Sequence, residues 1–188
     1  MDELTTQAMG KMPGKYPPPR HNVLVLSCMD LRLIDELAAF MDRDNLTNRY
    51  DHLVIAGAAL GVTHHTKRNW KKTFFEHLAI ALELHEPHDV YIIEHRNCGA
   101  YRKILGLDFD DHQLDEEKVE HGRWATKLRR EIEAWWPTHA PKKDGKPLPL
   151  HVHGFLMDLR GDIELLDLSY GKAPSPRKSR KPKPESQG

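Results

Sequence analysis

The sequence has few of the features that mark a membrane or secreted protein. Its 188 residues include only two cysteines, too few for the disulfide framework of a small secreted domain. No apolar run approaches the ~20 residues that a membrane-spanning helix needs. The first twenty residues also contain no apolar signal core. These observations predict a cytoplasmic globular protein that does not contact a membrane.

The sequence also lacks an excess of charge of either sign, because 28 Lys and Arg balance 28 Asp and Glu. The distribution is nevertheless uneven. Residues 171–188 contain six Lys or Arg, one Glu and four prolines. With so few apolar residues, this segment cannot offset the entropy lost on ordering. We predict a disordered basic tail that either solubilises the chain or binds an acidic partner.

Residues 1–20 are predicted to form an N-terminal arm, and residues 21–170 the folded domain, in which apolar strands alternate with amphipathic helices. The predicted strands are 21–27, 51–56, 89–94, 150–158 and 162–167, and the predicted helices are 31–41, 70–85, 98–105 and 122–136. A turn of small residues (GAALG) follows the second strand, an acidic exposed segment spans 108–120, and Pro137 ends the last helix. This order predicts an α/β fold with a central, mostly parallel β-sheet flanked by helices.

Helical spacing also predicts which side chains face the core. The predicted core positions in the first two helices are Leu33, Leu37, Phe40 and Met41, then Phe74, Leu78, Ala81, Leu82 and His85.

Both cysteines lie just after predicted strands. Cys28 follows the first strand, and His95 and Cys98 follow the third. Ligand sites of open α/β sheets form at the carboxyl ends of strands, so these side chains are expected to converge. Two thiolates and one imidazole suit Zn²⁺, and three protein ligands leave the fourth position open, as in catalytic zinc sites. The alternative is two unrelated core thiols.

Asp30 and Arg32 follow the first cysteine in the run SCMDLR. A carboxylate at this spacing can accept a hydrogen bond from a zinc-bound water or occupy the fourth position, and the arginine can hold that carboxylate. The alternative is that Asp30 caps the following helix and Arg32 is a surface charge.

Other histidines carry weaker signals. His64 and His65 lie in a predicted loop and could relay protons, and His153 is expected to be structural.

The run SCMDLR resembles the C-x-D-x-R signature of the β-class carbonic anhydrases, and EHRNCGAY resembles their H-x-x-C-G segment. The stretch HGFLMDLRGDIELLD is similar to the strand, turn and strand that close the family's domain. The resemblance spans roughly residues 20–168. It implies zinc on Cys28, His95 and Cys98, an Asp30–Arg32 dyad, and a homodimer or a dimer-based assembly.

One segment departs from the family pattern. The stretch VIAGAALG stands where the family usually has an Arg-Asn-Ala-Gly-like run after its second strand. The glutamine that often assists the substrate in related enzymes has no clear counterpart, Asn48 being the candidate substitute. Small apolar residues therefore replace polar side chains at the substrate end of the site.

The resemblance implies reversible hydration of CO₂ to bicarbonate by a zinc-bound hydroxide. The same scaffold also serves hydrolases of carbonyl sulfide and carbon disulfide, and the missing Arg-Asn run favours that alternative. A third alternative is a catalytically weak zinc-bearing protein that acts through its tail or its assembly.

Overall fold

The computed structural model describes residues 22–110 and 112–169. The predicted arm (1–20) and tail (171–188) lie outside the described residues. Within the described ranges, no helix is both long and apolar enough to cross a membrane.

Five strands form one central sheet, and four of them are parallel. They are β1 (Val23–Ser27), β2 (Tyr50–Val54), β3 (Asp89–His95), β6 (His151–Met157) and β7 (Ile163–Leu165), in the spatial order β2-β1-β3-β6-β7. Strand β7 alone pairs antiparallel, with β6. A separate two-stranded hairpin consists of β4 (Lys142–Lys143) and β5 (Lys146–Pro147). The predicted mostly parallel α/β fold is confirmed.

Helices cover both faces of this sheet. They are α1 (Ile34–Arg43), α2 (Ala58–Thr63), α3 (Arg68–His85), α4 (Gly99–Leu105) and α5 (Leu114–His139). Leu24 and Val90 face a core that α2, α3 and α5 complete. Val23 and Val25 face the opposite core, which α1 completes. Because both faces are covered, every residue of β1 and β3 is buried, as expected for central parallel strands.

The helical spacing predicted the core correctly except at one position. Leu33, Leu37, Phe40 and Met41, and Phe74, Leu78, Ala81 and Leu82, are all buried. His85 is not, since its side chain is 53% exposed. This imidazole in the last turn of α3 contacts the Asp51 carboxylate on β2, with Nδ1 and Oδ1 2.8 Å apart, which provides a polar partner at the edge of the sheet.

Helix α5 is longer at both ends than predicted. It begins at Leu114, where Asp115, Glu116 and Glu117 complement the positive end of the helix dipole. The prediction that the acidic segment is exposed is therefore wrong at Glu117, which is 2% exposed. The prediction that Pro137 ends the helix is also wrong, because a proline in the last turn removes only one of the final hydrogen bonds and the helix continues to His139.

The small residues after β2 form a buried helix rather than only a turn. Gly57 has a φ of +75°, and α2 follows it with every residue buried. A Cβ at Gly61 would lie 2.3 Å from the Ala56 carbonyl oxygen, so a glycine is required there. Close packing of α2 against the end of β2 explains why this run is so poor in large side chains.

Candidate metal centre

The carboxyl ends of the two central strands bring the three predicted ligands together. Strands β1 and β3 are neighbours, with Ser27 opposite Ile93. Cys28 directly follows β1, His95 ends β3, and Cys98 precedes the first residue of α4. The sulfurs of Cys28 and Cys98 are 3.8 Å apart, and the ligand atoms of all three residues lie within 4.8 Å of one another.

The imidazole of His95 is oriented as in a metal ligand. Its Nδ1 lies 2.9 Å from the carbonyl oxygen of Arg96. A carbonyl only accepts, so Nδ1 carries the hydrogen and Nε2 carries the free lone pair. Nε2 is buried and has no hydrogen-bond partner among the described residues. A buried nitrogen with a free lone pair beside two sulfurs is compatible with a metal site.

The two thiols favour one thiolate between them. Contact with Cys98 lowers the pKa of the Cys28 thiol to about 4, and the Gly57 N–H, which donates to the Cys28 sulfur at 3.2 Å, acts in the same direction. The same contact and burial raise the pKa of the Cys98 thiol. A second thiolate at this distance therefore requires a positive charge near the sulfurs, which a bound metal cation would supply.

Asp30 and Arg32 form a pair beside this cluster, and Asp30 is also a cap. Arg32 donates from Nε to Oδ1 at 2.8 Å and from Nη2 to Oδ2 at 2.7 Å. Its backbone N–H also donates to Oδ1, as in an N-terminal cap of the 3₁₀ turn Leu31–Leu33. The N-cap at Asp30 and its pairing with Arg32 therefore occur together, and its role toward a metal-bound water stays a prediction. The hydrogen bonds from Arg32 lower the pKa of the Asp30 carboxyl to about 2, and its Oδ2 lies 3.9 Å from His95 Nε2.

A buried polar network behind the cluster was missed from the sequence. Glu94 is 1% exposed. It accepts hydrogen bonds from the Ala59 N–H at 2.8 Å, the Tyr101 hydroxyl at 3.0 Å and His121 Nδ1 at 2.8 Å. Burial opposes protonation of His121, but Glu117 and Glu94 outweigh it and raise its pKa. The available signal was a glutamate at the end of an otherwise apolar strand, since a buried carboxylate needs several donors.

The segment that lacks Arg and Asn contributes backbone groups instead of polar side chains. Gly57 and Ala58 have consecutive positive φ values of +75° and +42°. This turn directs the N–H of Gly57 to Cys28 and that of Ala59 to Glu94. A Cβ at Gly57 would lie 2.9 Å from the Cβ of Ala100. The small residues therefore allow the backbone of this turn to lie close to the cluster.

His64, His153 and Asn48 are not members of the Cys28–His95–Cys98 cluster. His64 follows α2, where it contacts Thr66 at 2.8 Å and packs against the Trp124 ring. His153 contacts the Asp89 carboxylate at 3.1 Å, as a structural histidine does. Asn48 precedes β2, so it lies at the opposite edge of the sheet from the cysteines. Asn48 is therefore wrong as a substitute for the family's glutamine.

Comparison with known proteins agrees with these features. A sequence-family model described as "Putative carbonic anhydrase" matches residues 19–133. An uncharacterised protein of Rickettsia bellii (strain RML369-C) is 30% identical over 143 residues, which cover 76% of this chain and 80% of that protein. An uncharacterised protein of Rickettsia conorii (strain ATCC VR-613 / Malish 7) shows the same identity and length of match, covering 70% of its own length.

Solved structures with similar folds include a carbonic anhydrase of Streptococcus mutans, at 15% identity and a TM-score of 0.42, covering 87% of this chain and 90% of that one. A β-carbonic anhydrase of Aspergillus fumigatus has 17% identity and a TM-score of 0.46, covering 90% and 82%. The family model spans well over half of the chain and includes Cys28, His95 and Cys98. The chain belongs to this carbonic anhydrase family.

Proposed function

We propose that this protein catalyses the reversible hydration of CO₂ to bicarbonate at a zinc ion held by Cys28, His95 and Cys98. The observation that carries the proposal is an arginine-paired carboxylate, Asp30, with Oδ2 3.9 Å from the unpartnered Nε2 of His95. A purely structural zinc site is closed by four ligands and has no use for an orienting carboxylate beside it.

The metal would supply a nucleophile at neutral pH, since zinc lowers the pKa of a coordinated water to about 7. The chain supplies orientation. The ionised Asp30 can only accept a hydrogen bond, so it would accept the O–H of the nucleophile and leave a lone pair of that oxygen facing the carbon of CO₂. Arg32 holds both carboxylate oxygens at 2.7–2.8 Å and so keeps Asp30 from becoming a ligand. Overall, CO₂ and water would give bicarbonate and one proton: a C–O bond forms to the carbon of CO₂, one C=O π bond is lost, and the proton given up by the water passes to the buffer.

A second candidate is hydrolysis of carbonyl sulfide or carbon disulfide at the same site. The observation that favours it is the replacement of the Arg-Asn run by the buried residues Ala58 and Ala59. An apolar surface does not distinguish CO₂ from its sulfur analogues by hydrogen bonding. In that reaction water converts carbonyl sulfide to CO₂ and H₂S, with the same roles for Asp30 and Arg32.

A stopped-flow assay of CO₂ hydration, run beside a measurement of H₂S release from carbonyl sulfide and carbon disulfide, tests the proposal. We expect CO₂ hydration to dominate in the zinc-loaded protein and to disappear in Cys98→Ala. Release of H₂S without CO₂ hydration would establish the second candidate. A zinc-loaded protein inactive on all three substrates would refute both and leave the zinc-bearing assembly protein.

A further inference from the structure

The backbone of Asn97, which lies between two of the proposed ligands, is hydrogen-bonded at both its N–H and its carbonyl. Asn97 lies between His95 and Cys98 and has a φ of +54°. Its N–H donates to Glu117 Oε1 at 2.5 Å. Its carbonyl accepts from Arg32 Nη2 at 3.2 Å. The backbone of one residue therefore connects helix α5 to the Asp30–Arg32 pair.

Glu117 is itself held by surrounding residues. Its side chain is 3% exposed. Its Oε2 accepts from Arg96 Nη1 at 3.1 Å, and its Oε1 lies 3.9 Å from His121 Nε2. Arg96 is in turn bound by Glu164, 2.6 Å from Nη2. Arg96 and His121 thus hold the Glu117 carboxylate where it accepts the hydrogen bond from the Asn97 N–H.

We infer that Glu117 is a positioning residue for the metal centre. By holding the Asn97 backbone, Glu117 sets the distance between His95 and Cys98. It also sets the position of the Arg32 guanidinium relative to Asp30. Asn97 adopts the left-handed turn that asparagine accommodates more readily than most residues, and the hydrogen bonds to its N–H and its carbonyl hold that turn in place. The effect on activity rests on the proposed function, but the effect on metal geometry does not.

Two variants separate the hydrogen bond from the volume of the side chain. Glu117→Met fills a similar space but cannot accept from Asn97, whereas Glu117→Gln keeps one acceptor oxygen. We expect Met to weaken zinc binding about 10- to 100-fold, as loss of a partner behind a ligand does, and Gln to recover most of that loss. In the cobalt(II)-substituted proteins, the absorption bands of the thiolate-bound ion should shift with Met and return toward wild type with Gln.

Two other glutamates provide matched controls. Glu120 lies one turn further along α5 and binds Trp124 Nε1 instead of the 95–98 loop. Glu164 shares Arg96 with Glu117 but does not bind Asn97. The cobalt spectrum and zinc affinity of Glu120→Gln and Glu164→Gln should match wild type. A shift of equal size in Glu164→Gln would assign the effect to Arg96 and overturn the role of Glu117.

The wild-type protein provides a measurement that does not depend on a variant folding. Asn97 is an exposed residue, yet its N–H should exchange slowly with solvent because Glu117 accepts it. Rapid exchange of that amide, or a wild-type cobalt spectrum in Glu117→Met, would refute the inference whatever the activity. If the wild-type protein hydrates no CO₂ but these spectral and affinity changes occur, the proposed function fails and the positioning role stands.

Discussion

Removing the Arg32 side chain tests the proposed dyad most directly. Arg32→Ala deletes both side-chain hydrogen bonds to Asp30, at 2.8 and 2.7 Å, and the contact with the Asn97 carbonyl. The backbone N–H of residue 32 remains, so the cap at Asp30 Oδ1 is retained. The carboxylate is then free to turn about its own side-chain bonds. Because Oδ2 is already 3.9 Å from His95 Nε2, a small movement brings it to the metal.

The expected loss is large in rate and small in stability. A third anion would compete with water for the open position of the proposed zinc ion, which would already have two thiolate ligands. An orientation error of about 1 Å can cost roughly a hundredfold in rate. We therefore expect a decrease of about 100-fold in kcat/KM at unchanged zinc content. The lost ion pair is partly exposed, with the Arg32 side chain 43% exposed, so stability should fall by less than about 1 kcal/mol.

The chain contains its own matched control, because the tripeptide Asp-Leu-Arg occurs twice. At the second copy, the Arg160 N–H also donates to Asp158, but the Arg160 side chain is 91% exposed. Arg160→Ala should keep wild-type turnover. Asp30→Asn, which keeps an acceptor for the cap but loses the charge, should melt close to wild type and turn over slowly.

Zinc content, melting temperature and turnover should be measured on the same preparations of each variant. Wild-type turnover in Arg32→Ala, on whichever substrate is active, would refute the dyad. If Asp30 were only a helix cap and Arg32 only a surface charge, Asp30→Ala would lose about 1 kcal/mol of stability. Arg32→Ala would then show no loss of rate.

Three further predictions concern the metal, the tail and the assembly. Elemental analysis should find about one zinc per chain and little in Cys98→Ala; full zinc content in that variant would remove Cys98 from the ligands. Truncation after Tyr170 should leave turnover within about twofold of wild type, which is ~0.4 kcal/mol in the activation barrier. A tenfold loss would contradict a dispensable tail. Any binding of the tail to an acidic partner should weaken as the salt concentration is raised. Light scattering should find a homodimer or a dimer-based assembly, and a monomeric wild-type protein would contradict it.

The convergence of Cys28, His95 and Cys98 could be predicted because the physics involved is local. A short β-branched run followed by a cysteine fixes both the strand and the edge of the sheet where the thiol lies. The same holds for His95 and Cys98, which end one strand and begin one helix. The core positions of α1 were equally clear, since apolar residues recur at helical spacing from Leu33 to Met41.

The supporting network could not be predicted because its members are distant in sequence and belong to a helix whose start was misplaced. Glu117 contacts Asn97 across 20 positions of the chain, and His121 contacts Glu94 across 27. The acidic first turn of α5 looked like a solvated loop, although clustered acidic residues also favour a helix N-terminus. The burial of the Glu117 carboxylate in this turn depends only on tertiary contacts.

Glu94 makes one position of the sheet nearly intolerant of substitution. Its carboxylate joins β3 to α2 through Ala59, to α4 through Tyr101 and to α5 through His121. Any residue that lacks two acceptor oxygens leaves buried donors unpaired in two or three elements, at about 1–3 kcal/mol each. The combined penalty of several kcal/mol is comparable to the whole stability of a typical domain, about 5–15 kcal/mol. Random mutagenesis selected only for folded protein, without any demand for activity, should therefore return glutamate at position 94.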